Sequence, residues 1–380
     1  MTHSDLNLWC QSHFYEHLEL LKTLAVIPAP SHQEDRRTAF IKDWLQQQGF
    51  HDVIIDPSKN VILTLGRCDI PCLCVMAHTD VVFPDTDPLP LTEENGRLYA
   101  PGVGDDTANV ATLMMCAKFF GEHPDLIPEP LLLVFNSCEE GLGNLKGVRQ
   151  IMADYGQRIH SLVSFDCQSN AVICRAVGSE RWNVSVATKG GHSFSDFGNA
   201  NAIARLSSFV ANLYKQTVPQ KPDCKTTYNV GLISGGTSVN TIAQQAEVTY
   251  EYRSNDRECL AFMRQKFLEL VDEANCEDAA FTVTSLGVRP CDGDVPEDRR
   301  KALVARCKSA IQTVYDIDPP LCAASTDANI PLSLGIPAAT FGLYRGGGAH
   351  TREEYVEISS LTPGLLIALN FFLYNSEQNC

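Results

Sequence analysis

The sequence predicts an α/β fold, a sheet covered by helices on both faces, with a smaller ferredoxin-like α+β unit inserted into it. Three observations predict this. Short apolar runs, 71-PCLCVMA-77, 131-LLLVFNS-137 and 161-SLVSF-165, alternate with stretches of helical period, the rhythm of strands buried between covering helices. From about residue 180 the period changes to two, as in RWNVSVATK, and a strand-helix-strand-strand-helix-strand order follows. After Pro290 the helix-strand alternation resumes. A chain of 380 residues is long for one core, so two domains are expected: 1–178 joined with 292–380, and 179–291 between them.

The elements follow in order. Residues 5–25 carry helical spacing. Ser31 followed by Glu34 reads as a capping box opening the helix SHQEDRRTAFIKDWLQQQ, which Gly49 ends. The strand 71–77, a helix from about Asp106 to Phe120, the strand 131–137, a helix near 143–154 and the strand 161–165 complete the first block. In the insert, the RWNVSVATK strand precedes a helix from about Asn199 to Lys215 and strands near 227–234 and 245–253. A helix at about 257–273 and a strand at 280–286 close it. A helix near 297–314 and a strand near 337–343 lie beyond.

Composition narrows the class. With 44% hydrophobic and 20% charged residues the chain reads as a soluble globular protein. Its 30 basic and 46 acidic residues give a net charge of −16, which argues against nucleic acid or an anionic membrane as partner. No apolar run is long enough to span a bilayer. The opening MTHSDLNLWCQSHFYEHLELL lacks the basic region and apolar core of a secretory leader. The 15 cysteines are odd in number and show no framework spacing, so reduced thiols in the cytoplasm are expected.

The chemistry gathers at the strand ends. His78-Thr79-Asp80 follows the first buried strand, Gly104-Asp105-Asp106 precedes a helix, and Glu139 and Glu140 follow the second strand. Asp166 follows the third, and a glycine-rich turn, RGGGAH, delivers His350. Ligands of open α/β sheets bind outside the carboxyl ends of the strands. Carboxylates clustered there would repel one another and be costly to desolvate unless cations neutralised them. Two imidazoles and several carboxylates without clustered thiols suit zinc, cobalt or manganese.

His78-x-Asp80, GVGDD at 102–106, CEEGLGN at 138–144, Asp166 and AHTREE around His350 together resemble the M20 family of di-zinc metallopeptidases and deacylases. The similarity runs over essentially the whole chain. It implies a mixed sheet of zinc-exopeptidase type with a lid and dimerisation domain. It also implies two divalent ions, zinc first and cobalt or manganese as alternatives, held by His78, Asp105, Glu140, Asp166 and His350. Asp105 would bridge the ions and be followed by a cis peptide, and Asp80 would orient His78. Glu139 would be the general base for a metal-bridged hydroxide attacking an amide.

Within the insert, TKGGHSFSDFGNANAI around His192 and GGTSVNTIA around Asn240 resemble the family's lid motifs. The resemblance gives His192 an oxyanion role across a homodimer interface and Asn240 a substrate or oxyanion contact. Arg253, in EYRS, would face a substrate carboxylate, a task suited to its planar fork. Ser325-Thr326-Asp327 and the glycines at 346–348, Gly347 among them, resemble substrate-binding loops. Thr107 departs from the lysine that many relatives carry after the paired aspartates.

The leading expectation is a cytoplasmic, homodimeric exopeptidase acting on di- and tripeptides. The alternative is an N-acyl-amino-acid deacylase on the same fold. A catalytically silent binding protein would have lost Glu139 or a ligand. A cysteine hydrolase using Cys138 or Cys167 ranks last.

Overall fold

Residues 72–78 are apolar at nearly every position because the strand they form is covered on both sides. In the computed structural model, which describes residues 1–67 and 70–374, the strands Cys72–His78, Leu131–Asn136 and Ile159–Phe165 pair in parallel. Successive side chains point to opposite faces. Leu73, Val75, Ala77, Leu133, Phe135 and Val163 join one core with the helices Phe14–Ala25, Asn109–Glu122, Glu297–Tyr315 and Leu361–Phe372. Cys74, Met76, Leu132, Val134 and Leu162 join the other with Lys146–Tyr155 and Asn329–Ser333.

Among the described residues this sheet has eight strands, in the order Ile54–Ile55, Val61–Leu65, Leu131–Asn136, Cys72–His78, Ile159–Phe165, Ala338–Phe341, Val172–Ala176 and Leu321–Ala324. It is mixed, since Val61–Leu65 runs antiparallel to its neighbour Leu131–Asn136. The four central strands run the same way, so their carboxyl ends share one edge, with His78 opposite Asn136 and Phe165 opposite Phe341. Two compact units divide the chain: Met1–Ala176 with Gly293–Cys380, and Val177–Asp292. Residues 375–380 of the expected first domain, and the cysteines at 68 and 380, lie outside the described residues.

The second unit has a four-stranded antiparallel sheet, ordered Thr226–Gly235, Gln245–Ser254, Gly178–Thr188, Ala279–Arg289, and a two-stranded one of Gly191–His192 and Thr241–Ile242. Its helices, Ala202–Leu213 and Arg257–Ala274, begin at Asn201 and Asp256, whose side chains each accept two main-chain N–H bonds. Leu206, Phe209, Met263 and Phe267 on these helices pack against Val184, Val186, Val248 and Tyr250 of the sheet.

Several local expectations give way. Residues 5–25 form two helices, His3–Ser12 and Phe14–Ala25. The helix expected from Asp106 begins at Asn109, after a wider turn over Val103–Ala108. The helix expected near 143 begins at Lys146, because Asn144 and Leu145 adopt left-handed conformations. The capping box at Ser31 and Glu34 does not form. Helix Asp35–Gln47 starts at Glu34 without a side-chain cap, and both side chains are drawn elsewhere. The Ser31 hydroxyl donates to Asp80 at 2.6 Å. Glu34 accepts the main-chain N–H groups of His32 and Cys138 at 2.9 and 3.2 Å. Buried donors and acceptors of the sheet edge outcompete the local cap.

Candidate active site

The His78 ring is buried at the end of its strand. Its Nε2 lies 3.1 Å from Oδ1 of Asp105. Asp105 sits in the turn Val103–Ala108, joined to Asp106 by a cis peptide. That turn is shaped by two glycines. Gly102 has φ +72°, and a Cβ on Gly104 would lie 2.6 Å from the Tyr344 hydroxyl. His350 approaches from the other side, its Nε2 3.1 Å from Oδ2 of Asp105 and 3.5 Å from Oε1 of Glu140. One carboxylate therefore touches two imidazoles, one with each oxygen.

Two groups of potential ligand atoms result. His78, Asp105, Asp106 and Asp166 offer atoms within 4.8 Å of one another, and so do Asp105, Glu140 and His350. Asp105 is common to both. All five expected ligands thus fall into the two groups, and Asp106 joins them. Asp106 already accepts the His78 main-chain N–H at 2.9 Å and the Asn109 amide at 2.6 Å.

The electrostatics fit a cation site. Burial and the neighbouring Asp105 charge raise the Asp166 carboxyl to about 6. Burial opposes the ionisation of Asp105, but bonds from His350 and His78 hold it below the usual carboxylate range. Bonds to Asp105 and Glu140 push His350 up to about 10. Oε1 of Glu140 is buried and makes no hydrogen bond beyond the 3.5 Å approach of the His350 imidazole, an arrangement costly for an anionic oxygen unless a cation faces it. A mixed imidazole and carboxylate set with one shared carboxylate suits two divalent ions.

The tip carrying the two glutamates is fixed by Asp80. Its Oδ1 accepts the N–H of Glu139 at 2.9 Å, and its Oδ2 accepts that of Glu140 at 3.0 Å. The His78 Nδ1 lies nearer the main-chain oxygen of Asp80, at 3.0 Å, than its carboxylate, at 3.5 Å. The expected orienting contact is thus supplied first by the main chain, because the carboxylate is engaged by the glutamate tip and Ser31. Glu139 is buried beside the site and belongs to neither ligand group.

Other expectations shift. Thr326 and Asp327 are buried, with Asp327 accepting from Asn136 at 2.6 Å and Thr326 bonded to Thr340. They support the strand ends from within. Gly346 and Gly347 form a short strand paired with Tyr355 and Val356, so their main chain is held rather than loose. Cys138 contacts Glu34 and His32, and burial with the Glu34 charge pushes its thiol up to about 12. Desolvation and the Asp166 charge raise the Cys167 thiol as well, so neither supplies a thiolate nucleophile.

His192, Asn240 and Arg253 belong to the second unit. There the two glycine-rich motifs meet: His192 pairs with Thr241, and the Ser193 N–H donates to the Asn240 carbonyl at 3.0 Å. Nδ1 of His192 accepts from Phe194 and Ser195, which leaves Nε2 as the donor of the neutral ring. Oδ1 of Asn240 accepts from Ser238, leaving its amide N–H groups as donors. Both N–H forks of Arg253 that are engaged reach Glu251, at 3.1 and 3.2 Å.

Paired ligand groups at the carboxyl edge of a mixed sheet, with a carboxylate standing outside them, define a hydrolase with a candidate two-metal centre. The chain belongs to Peptidase family M20/M25/M40, whose profile matches residues 74–373, and it is a metallohydrolase of that family. It is 26% identical over 354 residues to a Mycobacterium tuberculosis protein assigned as a succinyl-diaminopimelate desuccinylase, covering 91% of this chain and 94% of the relative. Over 308 residues it is 28% identical to an acetylornithine deacetylase of Myxococcus xanthus, covering 76% of each. Its fold is similar to that of the di-peptidase Dug1p of Saccharomyces cerevisiae, with a TM-score of 0.77, 17% identity and 99% of each chain covered.

Proposed function

We propose that the protein is an exopeptidase that hydrolyses the amide bonds of di- and tripeptides. The observation that carries this is the Asp105 carboxylate shared between two imidazole-containing ligand groups, with Glu139 beside them and outside both. His78, Asp105 and Asp166 would hold one divalent ion, and Asp105, Glu140 and His350 the other. Two imidazoles among carboxylates favour zinc, with cobalt or manganese able to substitute. Such ions, when bound, polarise a scissile carbonyl and lower the pKa of water. Glu139 takes the proton of the attacking water and returns it to the departing amine.

The second unit serves as lid and dimerisation domain. Its edge strand Thr226–Gly235 leaves Leu232 and Ile233 exposed, and a second copy pairing along that edge would cover them. His192, through Nε2–H, and Asn240, through its amide, supply donors to the oxyanion, with His192 serving the partner protomer. Arg253 receives a substrate carboxylate, and the Gly347 main chain offers its N–H to a polar end of the substrate. Thirteen free cysteines among the described residues support a reducing cytoplasm. No helix among those residues is long and apolar enough to cross a membrane.

A second reading, N-acyl-amino-acid deacylase, is favoured by the deacylase names of the relatives that align along most of the chain. Matched free-amine di- and tripeptides and N-acetyl and N-succinyl amino acids, assayed on zinc- or cobalt-loaded protein, separate the two. Cleavage of peptides alone supports the exopeptidase. Cleavage of acyl amino acids alone replaces it with the deacylase.

A further inference from the structure

Four residues beyond His350, Glu354 is 1% exposed, and its carboxylate is filled by main-chain donors. Oε1 accepts the N–H groups of Gly104 at 2.8 Å and Asp105 at 2.7 Å, and Oε2 accepts that of Gly102 at 3.0 Å. These donors open the turn Val103–Ala108, where N–H groups lack helical partners. Three main-chain donors on one buried carboxyl fix its position.

Glu354 itself is held by main chain on both sides. Its carbonyl accepts the Ala100 N–H at 3.2 Å, and its N–H donates to Thr351 at 3.3 Å. Tyr355, next in sequence, pairs with Tyr99 and with Gly347. His350, by contrast, has a side chain 57% exposed and follows the left-handed Gly348 on the turn. The same short segment therefore presents one imidazole directly and grips the main chain of the carboxylate that both imidazoles face. A shift of residues 102–105 would carry Oδ1 of Asp105 away from His78 and Oδ2 away from His350 together.

We infer that Glu354 is a positioning residue for the candidate two-metal centre, fixing the shared carboxylate of Asp105 and tying it to the segment that carries His350. The inference rests on the metallohydrolase reading and adds to it a residue outside both ligand groups. Glu354→Gln keeps the shape but turns an amide N–H₂ toward at least one main-chain N–H, so at least one of the three bonds is lost.

The test titrates metal-free wild type, Glu354→Gln and Glu354→Asp with cobalt, followed by its visible spectrum, and with zinc against a competing chelator. Turnover and urea unfolding of the metal-free forms are measured alongside. Wild type is expected to take two ions. Glu354→Gln is expected to bind about 10–100-fold more weakly, as outer-shell substitutions do, with an altered cobalt spectrum and kcat falling more than KM rises. Glu354→Asp, shorter but still a carboxyl able to accept from all three donors, is expected to fall between, and it carries the comparison if the glutamine form does not fold. Wild-type affinity and spectrum in either variant, with only unfolding affected, would overturn the inference and leave Glu354 a brace of the fold. Failure of wild type itself to bind ions would overturn the metal reading, and this inference with it.

Discussion

Asp80→Asn is the substitution that most directly probes how the glutamate tip is held. The carboxylate accepts three bonds, from the main chain of Glu139 at 2.9 Å, from that of Glu140 at 3.0 Å and from Ser31 at 2.6 Å. It is fully buried, so solvent does not weaken them. The amide oxygen can keep one main-chain bond, and the Ser31 hydroxyl can rotate to accept from the new N–H₂. The second main-chain N–H then faces a donor. Losing one bond to a charged group and leaving its partner unsatisfied gives a destabilisation of roughly 2–4 kcal/mol, with relief of repulsion toward Asp327 favouring the lower end. The freed tip should also cost about 10–100-fold in metal affinity through Glu140. Urea unfolding of the metal-free protein and a metal titration measure the two effects. Stability within about 0.5 kcal/mol of wild type, a surface-like value, together with unchanged metal affinity, would refute the assignment. The pH dependence has a definite sign. Burial works against the Asp80 charge, but the adjacent His78 ring and the bonds from Ser31 and Glu139 hold its pKa below the usual value. Its contribution is present above the unfolded value of about 3.9 and is lost as pH falls through the folded one.

Three further outcomes are expected. Glu139→Ala should keep metal affinity while kcat falls about 10²–10⁴-fold; substantial remaining turnover in metal-loaded protein would remove Glu139 as the base. His192→Ala should lower kcat with metal binding intact, and unchanged kinetics would exclude it from the oxyanion. His17 is buried against Thr112, and burial pushes its pKa down to about 4. Its folded value lies below the unfolded value of about 6.5, so stability should be lost as pH falls from about 6.5 to 4, by up to about 3 kcal/mol; an equal loss in His17→Gln would locate the effect elsewhere.

The central strands were legible because burial on both faces leaves continuous apolar runs, as in Cys72–His78. The expected ligands were legible because folding alone gives no reason to end such strands in His78, Glu140 and Asp166. Val172–Ala176 and Leu321–Ala324 were not marked, being short and, for the second, largely exposed. Ser31 and Glu34 misled for a physical reason. The residue types that cap a helix also anchor distant main chain, and their partners, Asp80 and Cys138, lie 49 and 104 residues away. Nor does sequence separate Glu353, which is exposed, from the buried Glu354. Only the turn opposite makes that distinction.

Hydrogen bonding also explains how so many carboxylates can share one edge. The supporting ones are held by fixed donors: Glu354 by three main-chain N–H groups, Asp80 by two with a hydroxyl, and Asp106 by the His78 N–H and the Asn109 amide. Such donors remain in place whether or not a cation arrives. The oxygens of the candidate ligand groups are treated differently. Those of Asp105 face imidazoles, which can exchange a proton for a metal, and Oε1 of Glu140 meets only the His350 imidazole, at 3.5 Å. Donor placement thus separates carboxylates that hold the scaffold from oxygens kept available for ions. On that criterion Asp106, although near enough to join the first ligand group, is a support for His78, and the bridge between the two groups is Asp105.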